Sequence, residues 1–119
     1  MDGRIEELRA WNCSVDDALL RMIGDEELYL EFLIEFTKEP TFDMLSVALV
    51  ENRMNDAFEY SHMLKGVTAN LGIDPLYERM VSLTEILRND PDAHAALEEF
   101  ERCAAAFEKF KRIMAGEKT

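Results

Sequence analysis

Residues 55–71 read NDAFEYSHMLKGVTANL, and the spacing of the apolar residues in this stretch predicts a helix with two distinct faces. The inward face recurs every three or four residues: Ala57, Tyr60, Ser61, Leu64, Val67, Thr68 and Leu71. A second stripe follows the spacing i, i+3, i+4, i+7 and i+8, and we expect it to face solvent: His62, Lys65, Gly66, Ala69 and Asn70. Gly72 is expected to end the helix, because glycine is common just beyond helix C-termini.

Capping residues predict further helices on both sides of this segment. Residues 14–17 have the pattern of a capping box that opens a short helix ending at Gly24, and Asp25 is a candidate N-cap for the next helix. Asp74-Pro75 and Asp90-Pro91 each predict a helix start, because proline is tolerated in the first turn. Two regular apolar stripes follow these starts: Leu76, Met80, Leu83 and Leu87, and then Ala96, Phe100, Cys103, Phe107, Phe110 and Met114.

Pro40 lies within another apolar stripe, which keeps its helical phase on both sides of the proline: Leu33, Phe36, Pro40, Met44 and Val47. This continuity predicts one long helix over about residues 25–51, kinked at Pro40. A smaller stripe of Ile5, Leu8 and Trp11 precedes it. We therefore predict an all-α fold, an antiparallel four-helix bundle with one or two short N-terminal helices, as a single domain over residues 1–119 with its core in 14–114.

The composition narrows the classes of partner. With 25 acidic residues and a net charge of −12 in 119 residues, the surface repels nucleic acid and anionic lipid. We find no apolar run of membrane-spanning length and no secretory signal in the sequence. Cys13 and Cys103 match no metal-binding spacing, and we expect them to be free thiols in the core. These observations predict a soluble cytoplasmic protein that binds neither nucleic acid nor membrane.

The outward stripe suits phosphoryl chemistry. Imidazole is a good nucleophile at neutral pH, and a lysine one turn away can neutralise phosphoryl charge. Residues 60–73 form the longest stretch without an acidic residue, and Lys65 is its only charged side chain besides histidine. Gly66 costs a helix about 1 kcal/mol relative to alanine, which is explained if a partner must approach His62 closely. Taken singly, His62 would be interpreted as a solvated surface residue and Gly66 as a helix-packing glycine.

The string His62-Met63-Leu64-Lys65-Gly66, followed by Asn70-Leu71-Gly72, resembles the histidine phosphotransfer (HPt) family of two-component phosphorelays. The resemblance extends over roughly residues 14–114. It implies that His62 accepts a phosphoryl group through Nε2, that Lys65 neutralises its charge and that Gly66 gives clearance. It also implies a phosphocarrier rather than an enzyme, with no cofactor or metal of its own, because Mg²⁺ belongs to the partner.

The resemblance further implies the partners: a response-regulator receiver domain, a hybrid histidine kinase, or both. We expect the chain to act as a free-standing monomeric carrier. The predicted docking residues are Phe58, Met63, Ala69 and Asn70, together with outward positions near Met44 and Leu45.

Two alternatives stay open from the sequence. The first is an acidic helical adaptor that keeps the bundle and the docking surface but is not phosphorylated. The second is a bundle that binds metal or haem. The sequence argues against the second, because it has only two histidines. Of these, His62 follows Glu59 at the Glu-x-x-His spacing, whereas Pro91 occupies the matching position before His94.

Overall fold

The computed structural model describes residues 2–89 and 92–116, and every regular element in these ranges is an α-helix. The helices are α1 (Gly3–Ala10), α2 (Val15–Arg21), α3 (Glu26–Phe36), α4 (Thr41–Val50), α5 (Met54–Leu71), α6 (Asp74–Asn89) and α7 (Ala93–Met114). The predicted all-α class is confirmed. Helix α5 begins one residue before the predicted start at Asn55, and α6 begins at Asp74 as predicted. The predicted start at Asp90-Pro91 lies outside the described residues.

The core is formed mainly by α4, α5, α6 and α7. Helix α5 contacts α4 and α6, α6 contacts α7, and α4 contacts α7. The short helix α1 packs on α7, while α2 and α3 contact α5. The stripes predicted for α6 and α7 are buried, apart from Phe100, which is half-buried. Burial of these stripes removes apolar surface from water, which is the main force that holds the helices together.

The predicted long helix over 25–51 is wrong, because the helix is interrupted between Phe36 and Thr41. Pro40 has no N–H to donate to Phe36, and its ring disfavours a helical residue before it. Helix α3 therefore ends at Phe36. Helix α4 begins at Thr41, whose amide and hydroxyl donate to the Glu39 carboxylate at 3.3 Å and 2.7 Å. The break changes the phase of the stripe. Met44 is 43% exposed, whereas Leu45 is fully buried, so the predicted outward position of Leu45 is also wrong.

Hydrogen bonds between the residue before α2 and the loop after α5 fix the start of α2 and the end of α5. Ser14 precedes α2 as predicted, but its hydroxyl donates to the Asp74 carboxylate rather than capping its own helix. The Ser14 amide donates to the Gly72 carbonyl oxygen at 2.8 Å. Gly72 has a left-handed φ of 71°, and a Cβ added there would lie 2.6 Å from the Ser14 carbonyl oxygen. Both the turn and the close approach therefore require glycine at this position.

No helix among the described residues is long and apolar enough to cross a membrane.

Candidate functional site

Helix α5 presents the polar stripe to solvent, as its spacing predicts. His62, Gly66, Ala69 and Asn70 are exposed, and Lys65 is half-buried. The opposite face is buried against α4 and α6 at Ala57, Ser61, Leu64, Thr68 and Leu71.

The inward face of α5 combines buried apolar side chains with hydrogen-bonded hydroxyl groups. The Ser61 hydroxyl, next to His62, donates to the Phe58 carbonyl oxygen at 2.9 Å and lies 3.2 Å from the Thr84 hydroxyl of α6. Thr68 donates to the Leu64 carbonyl oxygen at 2.9 Å. Both hydroxyls are buried and hydrogen-bonded, so the core tolerates them. Their bonds to Phe58 and Leu64 lie within α5 and do not fix its rotation. Burial of Ala57, Leu64 and Leu71, together with the Ser61–Thr84 contact, turns this face inward. The outward direction of His62 follows from this buried face.

The His62 imidazole lies against an aromatic neighbour. The Phe58 ring is one turn before it, with the two ring centroids 5.9 Å apart and their planes 14° from parallel. The Arg88 guanidinium carbon lies 5.5 Å from the centroid of the same Phe58 ring, and Arg88 also pairs with Glu85 at 2.6 Å. Phe58 is half-buried: part of its ring packs against the core, and the rest is exposed beside His62 and Arg88. Sequence reasoning assigned Phe58 only to docking and did not single out Arg88.

Open space lies over the next turn of the stripe. A Cβ added to Gly66 would meet no atom within 4 Å, so the glycine does not serve helix packing. Lys65 makes no ion pair with any residue in 2–89 or 92–116. A large group can therefore approach His62 over Gly66, beside a cationic side chain that is not neutralised by a described carboxylate.

Hydrogen bonds to its last carbonyl groups hold the C-terminal end of the stripe. Arg21 of α2 donates to the Ala69 carbonyl oxygen at 3.0 Å and to the Asn70 carbonyl oxygen at 2.9 Å. The buried Tyr29 hydroxyl donates to the Leu71 carbonyl oxygen at 2.7 Å, and burial raises its pKa above the ordinary range for tyrosine. A cation at a helix C-terminus is also favoured by the helix dipole. Arg21 and Tyr29 thus join α2 and α3 to the end of the stripe.

An apolar groove of about 660 Å³ lies beside this end, between α5 and the α2–α3 segment. We call it the α3 groove, and its lining includes Ile23, Leu28, Phe32, Val67 and Asn70. Two acidic side chains, Glu35 and Glu39, also line it.

Ile23 is the unusual residue of the α3 groove. It is 95% exposed, and its φ of 55° places a β-branched residue in the left-handed region. Such a conformation is unfavourable for isoleucine, so neither packing nor backbone preference explains this residue. Sequence reasoning treated this turn only as a helix stop at Gly24. The sequence offered one indication of this exposed residue, namely a large apolar side chain directly before the glycine that ends the helix.

Another exposed apolar surface lies beside Met63. Its sulfur is 3.9 Å from the Thr41 hydroxyl, so the side chain reaches the start of α4. Met63 is 41% exposed, and Met44 is exposed on the same helix as Thr41. The structure therefore leaves the predicted docking residues accessible at Met63, Ala69, Asn70 and Met44, with Phe58 half-buried and Leu45 excluded.

No family model, curated protein or solved structure matches this chain.

Other reactive groups in the described residues offer no competing site. Burial, followed by the nearby Asp74 carboxylate, raises the pKa of Cys13 to about 12, and burial beside Glu99 raises that of Cys103 to about 12. Both thiols are therefore protonated at neutral pH and poor nucleophiles. His94 lies in the first turn of α7 and pairs with Glu98 at 2.6 Å. No group of three or more potential metal ligands occurs among the described residues.

Proposed function

We propose that this protein is a phosphorelay carrier that accepts a phosphoryl group on His62 from a receiver-domain aspartate and passes it to another receiver. One observation supports the proposal above all: an exposed imidazole lies one turn from open space over Gly66, on a stripe of α5 without acidic residues. A receiver must bring its phosphoaspartate within bonding distance of the imidazole, and this surface permits that approach.

The transfer needs little from the carrier beyond the nucleophile. The unprotonated ring nitrogen of His62 attacks the phosphorus of the aspartyl phosphate. A nitrogen–phosphorus bond forms, the phosphorus–oxygen bond breaks, and aspartate leaves as a carboxylate, while the other ring nitrogen keeps its proton. The second transfer reverses these bond changes on a new receiver. Lys65 reduces the repulsion of the incoming dianion by the acidic protein, and the partner supplies Mg²⁺.

The arrangement of the helices is consistent with such a carrier. Each of α4, α5, α6 and α7 contacts two others of the set, and we propose that they form the antiparallel four-helix bundle predicted above. A bundle of this kind can display one helix face while its core stays closed. We also propose a monomer that works in the cytoplasm, where receivers and kinases act.

Docking would use two apolar surfaces beside the stripe. Met63 and Met44 offer one such surface, and the α3 groove with Ile23 and Phe32 offers the other. Exposed apolar patches next to polar residues are typical of protein interfaces. The acidic Glu35 and Glu39 in the groove favour a partner with basic side chains around its apolar contact.

The test is transfer from phosphorylated receivers of the same genome in the presence of Mg²⁺, followed by detection of acid-labile phosphate on this chain. His62→Gln should abolish labelling and leave the melting temperature nearly unchanged, because an exposed side chain contributes little to stability. His94→Gln is the matched control, since it removes the other histidine, also exposed, and should label like wild type. Equal labelling of wild type and His62→Gln would refute the assignment.

The adaptor alternative predicts a different result in the same experiment. An adaptor would bind a partner through the α3 groove and Met63 with equal affinity in wild type and His62→Gln, and neither protein would be labelled. If no label appears but the partner still binds, the adaptor function is supported and the carrier function is refuted.

A further inference from the structure

Three side chains from two helices, among them the His62 imidazole, lie close together. Arg88 of α6 lies over the Phe58 ring, and the Phe58 ring lies nearly parallel to the imidazole of His62. We call these three residues the stacked column. Glu85 holds the far end of the column through its 2.6 Å pair with Arg88.

The column follows from helix geometry. Side chains on an α-helix lean towards the N-terminus, so His62 leans over the residue four positions earlier, which is Phe58. Arg88 lies near the end of α6, the helix packed beside α5, and reaches the same ring. A guanidinium group is planar and stacks well on an aromatic face.

Ring orientation matters for a nitrogen nucleophile. The lone pair of the attacking nitrogen lies in the plane of the imidazole, so the ring plane sets the direction from which phosphorus can be attacked. The last torsion of a histidine side chain is broad and poorly restricted by itself. An exposed imidazole on a bare helix would therefore sweep through many planes, of which few are in line with the bond that breaks.

We propose that Phe58 and Arg88 are positioning residues that hold the His62 imidazole in one plane for phosphoryl transfer. The inference rests on the proposed function, but it changes the role of Phe58. Phe58 acts on the nucleophile, whereas docking falls to Met63, Met44 and the α3 groove.

A small-molecule donor separates the direction of the His62 ring from its intrinsic reactivity. Phosphoramidate can phosphorylate histidine without a receiver, so its rate with this protein does not depend on a docking surface. Because phosphoramidate diffuses freely and can reach the ring nitrogen from any side, Phe58→Leu should leave this rate near the wild-type value. With a docked receiver, which fixes the direction of the phosphoryl group, loss of the flat ring should lower kcat about threefold to tenfold. Phe58→Tyr restores a flat ring and should return the receiver-dependent kcat to near the wild-type value. Arg88→Met keeps the length of the side chain but loses its planar cation, and it should give a smaller decrease.

A matched control exists on α7. Lys109 lies 5.4 Å over the Trp11 ring, and Lys109→Met removes a cation–π contact that does not involve α5. This variant should accept the phosphoryl group from the receiver with the wild-type kcat. Arg88→Met replaces an exposed residue and should fold normally, so the inference can be tested even if Phe58→Leu lowers the melting temperature.

NMR gives a readout that does not require phosphorylation. In wild type we expect nuclear Overhauser contacts between the His62 and Phe58 ring protons and an aromatic ring-current shift of the imidazole protons. Phe58→Leu should lose both, and Phe58→Tyr should retain both. With a receiver as donor, Phe58→Leu should lower kcat and leave KM nearly unchanged.

The outcomes distinguish the two proposals. If Phe58→Leu raises only the KM for the receiver, Phe58 is a docking residue and the inference is wrong. If Phe58→Leu slows phosphoramidate as much as it slows the receiver, Phe58 changes the intrinsic reactivity of His62 and not the direction of its ring, and the inference is also wrong. If wild-type His62 takes phosphate from neither donor while the ring contacts are present, the carrier function fails and the column has no role in transfer.

Discussion

Gly66 is the residue at which stability and function are expected to conflict. Because a Cβ there meets no atom within 4 Å, Gly66→Ala should raise the free energy of unfolding by up to about 1 kcal/mol. Gly66→Gln should also fold at least as well as wild type. It places a long side chain where the receiver must approach, so transfer should fall on the order of a hundredfold.

Two measurements check this prediction: urea denaturation for stability and the rate of transfer from a phosphorylated receiver. Asn55→Gln enlarges another exposed residue of α5, two turns before His62, and should transfer normally. If Gly66→Gln transferred at the wild-type rate, the clearance argument would be wrong. If it unfolded, the open space over Gly66 would not exist in solution.

For individual residues, the sequence predicted which side chains of α5 face outward, but not which side chains of other helices lie beside them. The exposure of His62 and Gly66 could be predicted, because both follow from the phase of one helix. The contact of Arg88 with Phe58 could not be predicted in that way. It depends on how far α6 has turned against α5, and helical periodicity within one segment does not contain that information.

At the scale of elements, the regular helices were the predictable part. Helices α5, α6 and α7 have long apolar stripes, so their existence and buried faces could be predicted from the spacing. The break at residues 37–40 was missed because Met44 and Val47 continue the apolar spacing of Leu33 and Phe36. In the structure the backbone effect of Pro40 outweighs that pattern, and the α4 side chains that turn inward are instead Phe42, Leu45, Ala48 and Leu49.

The turn between α2 and α3 offers a test at the same scale. Ile23 is left-handed and 95% exposed, so Ile23→Asn removes backbone strain while losing no packing. We expect it to raise the free energy of unfolding by about 1 kcal/mol. If the α3 groove docks a receiver, the same variant should raise the KM for that receiver and leave the phosphoramidate rate unchanged.

Leu20→Asn is the matched control for Ile23→Asn. Leu20 is an exposed apolar residue of α2 with helical backbone, so its replacement relieves no strain and should give no gain in stability. Thermal denaturation of the two variants isolates the contribution of the backbone. A lower melting temperature in Ile23→Asn would mean that the side chain packs in solution. If the KM for the receiver were unchanged in Ile23→Asn, the α3 groove would not be part of the docking surface.

At the scale of the whole molecule, the distribution of charge matters more than its sum. The chain carries a net charge of −12, yet residues 60–73 contain no acidic residue. If His62 carries a phosphoryl dianion, Lys65 and the acid-free residues that follow it limit the repulsion, and Glu59 is the nearest acidic residue before it in the chain. The total charge could be counted from the sequence. The position of the outward residues of this stretch beside an apolar groove could not be predicted in that way, because it depends on how α2 and α3 pack on α5.

Removal of divalent metal should separate the fold of this protein from its transfer reaction. No cluster of three or more potential ligands occurs in residues 2–89 and 92–116, and the helices are held by apolar packing. A chelator should therefore leave the circular dichroism spectrum and the melting temperature unchanged. Transfer from a receiver should stop, because the partner's Mg²⁺ neutralises the phosphoryl group during transfer.

Phosphoramidate again supplies the control, since its reaction with His62 involves no receiver and should continue in the chelator. Elemental analysis of the purified protein completes the test. One equivalent of tightly bound metal, or a melting temperature that falls on chelation, would favour the metal-binding bundle over the carrier. Receiver-dependent transfer that persists without divalent metal would instead show that Lys65 and its surroundings neutralise the phosphoryl group unaided.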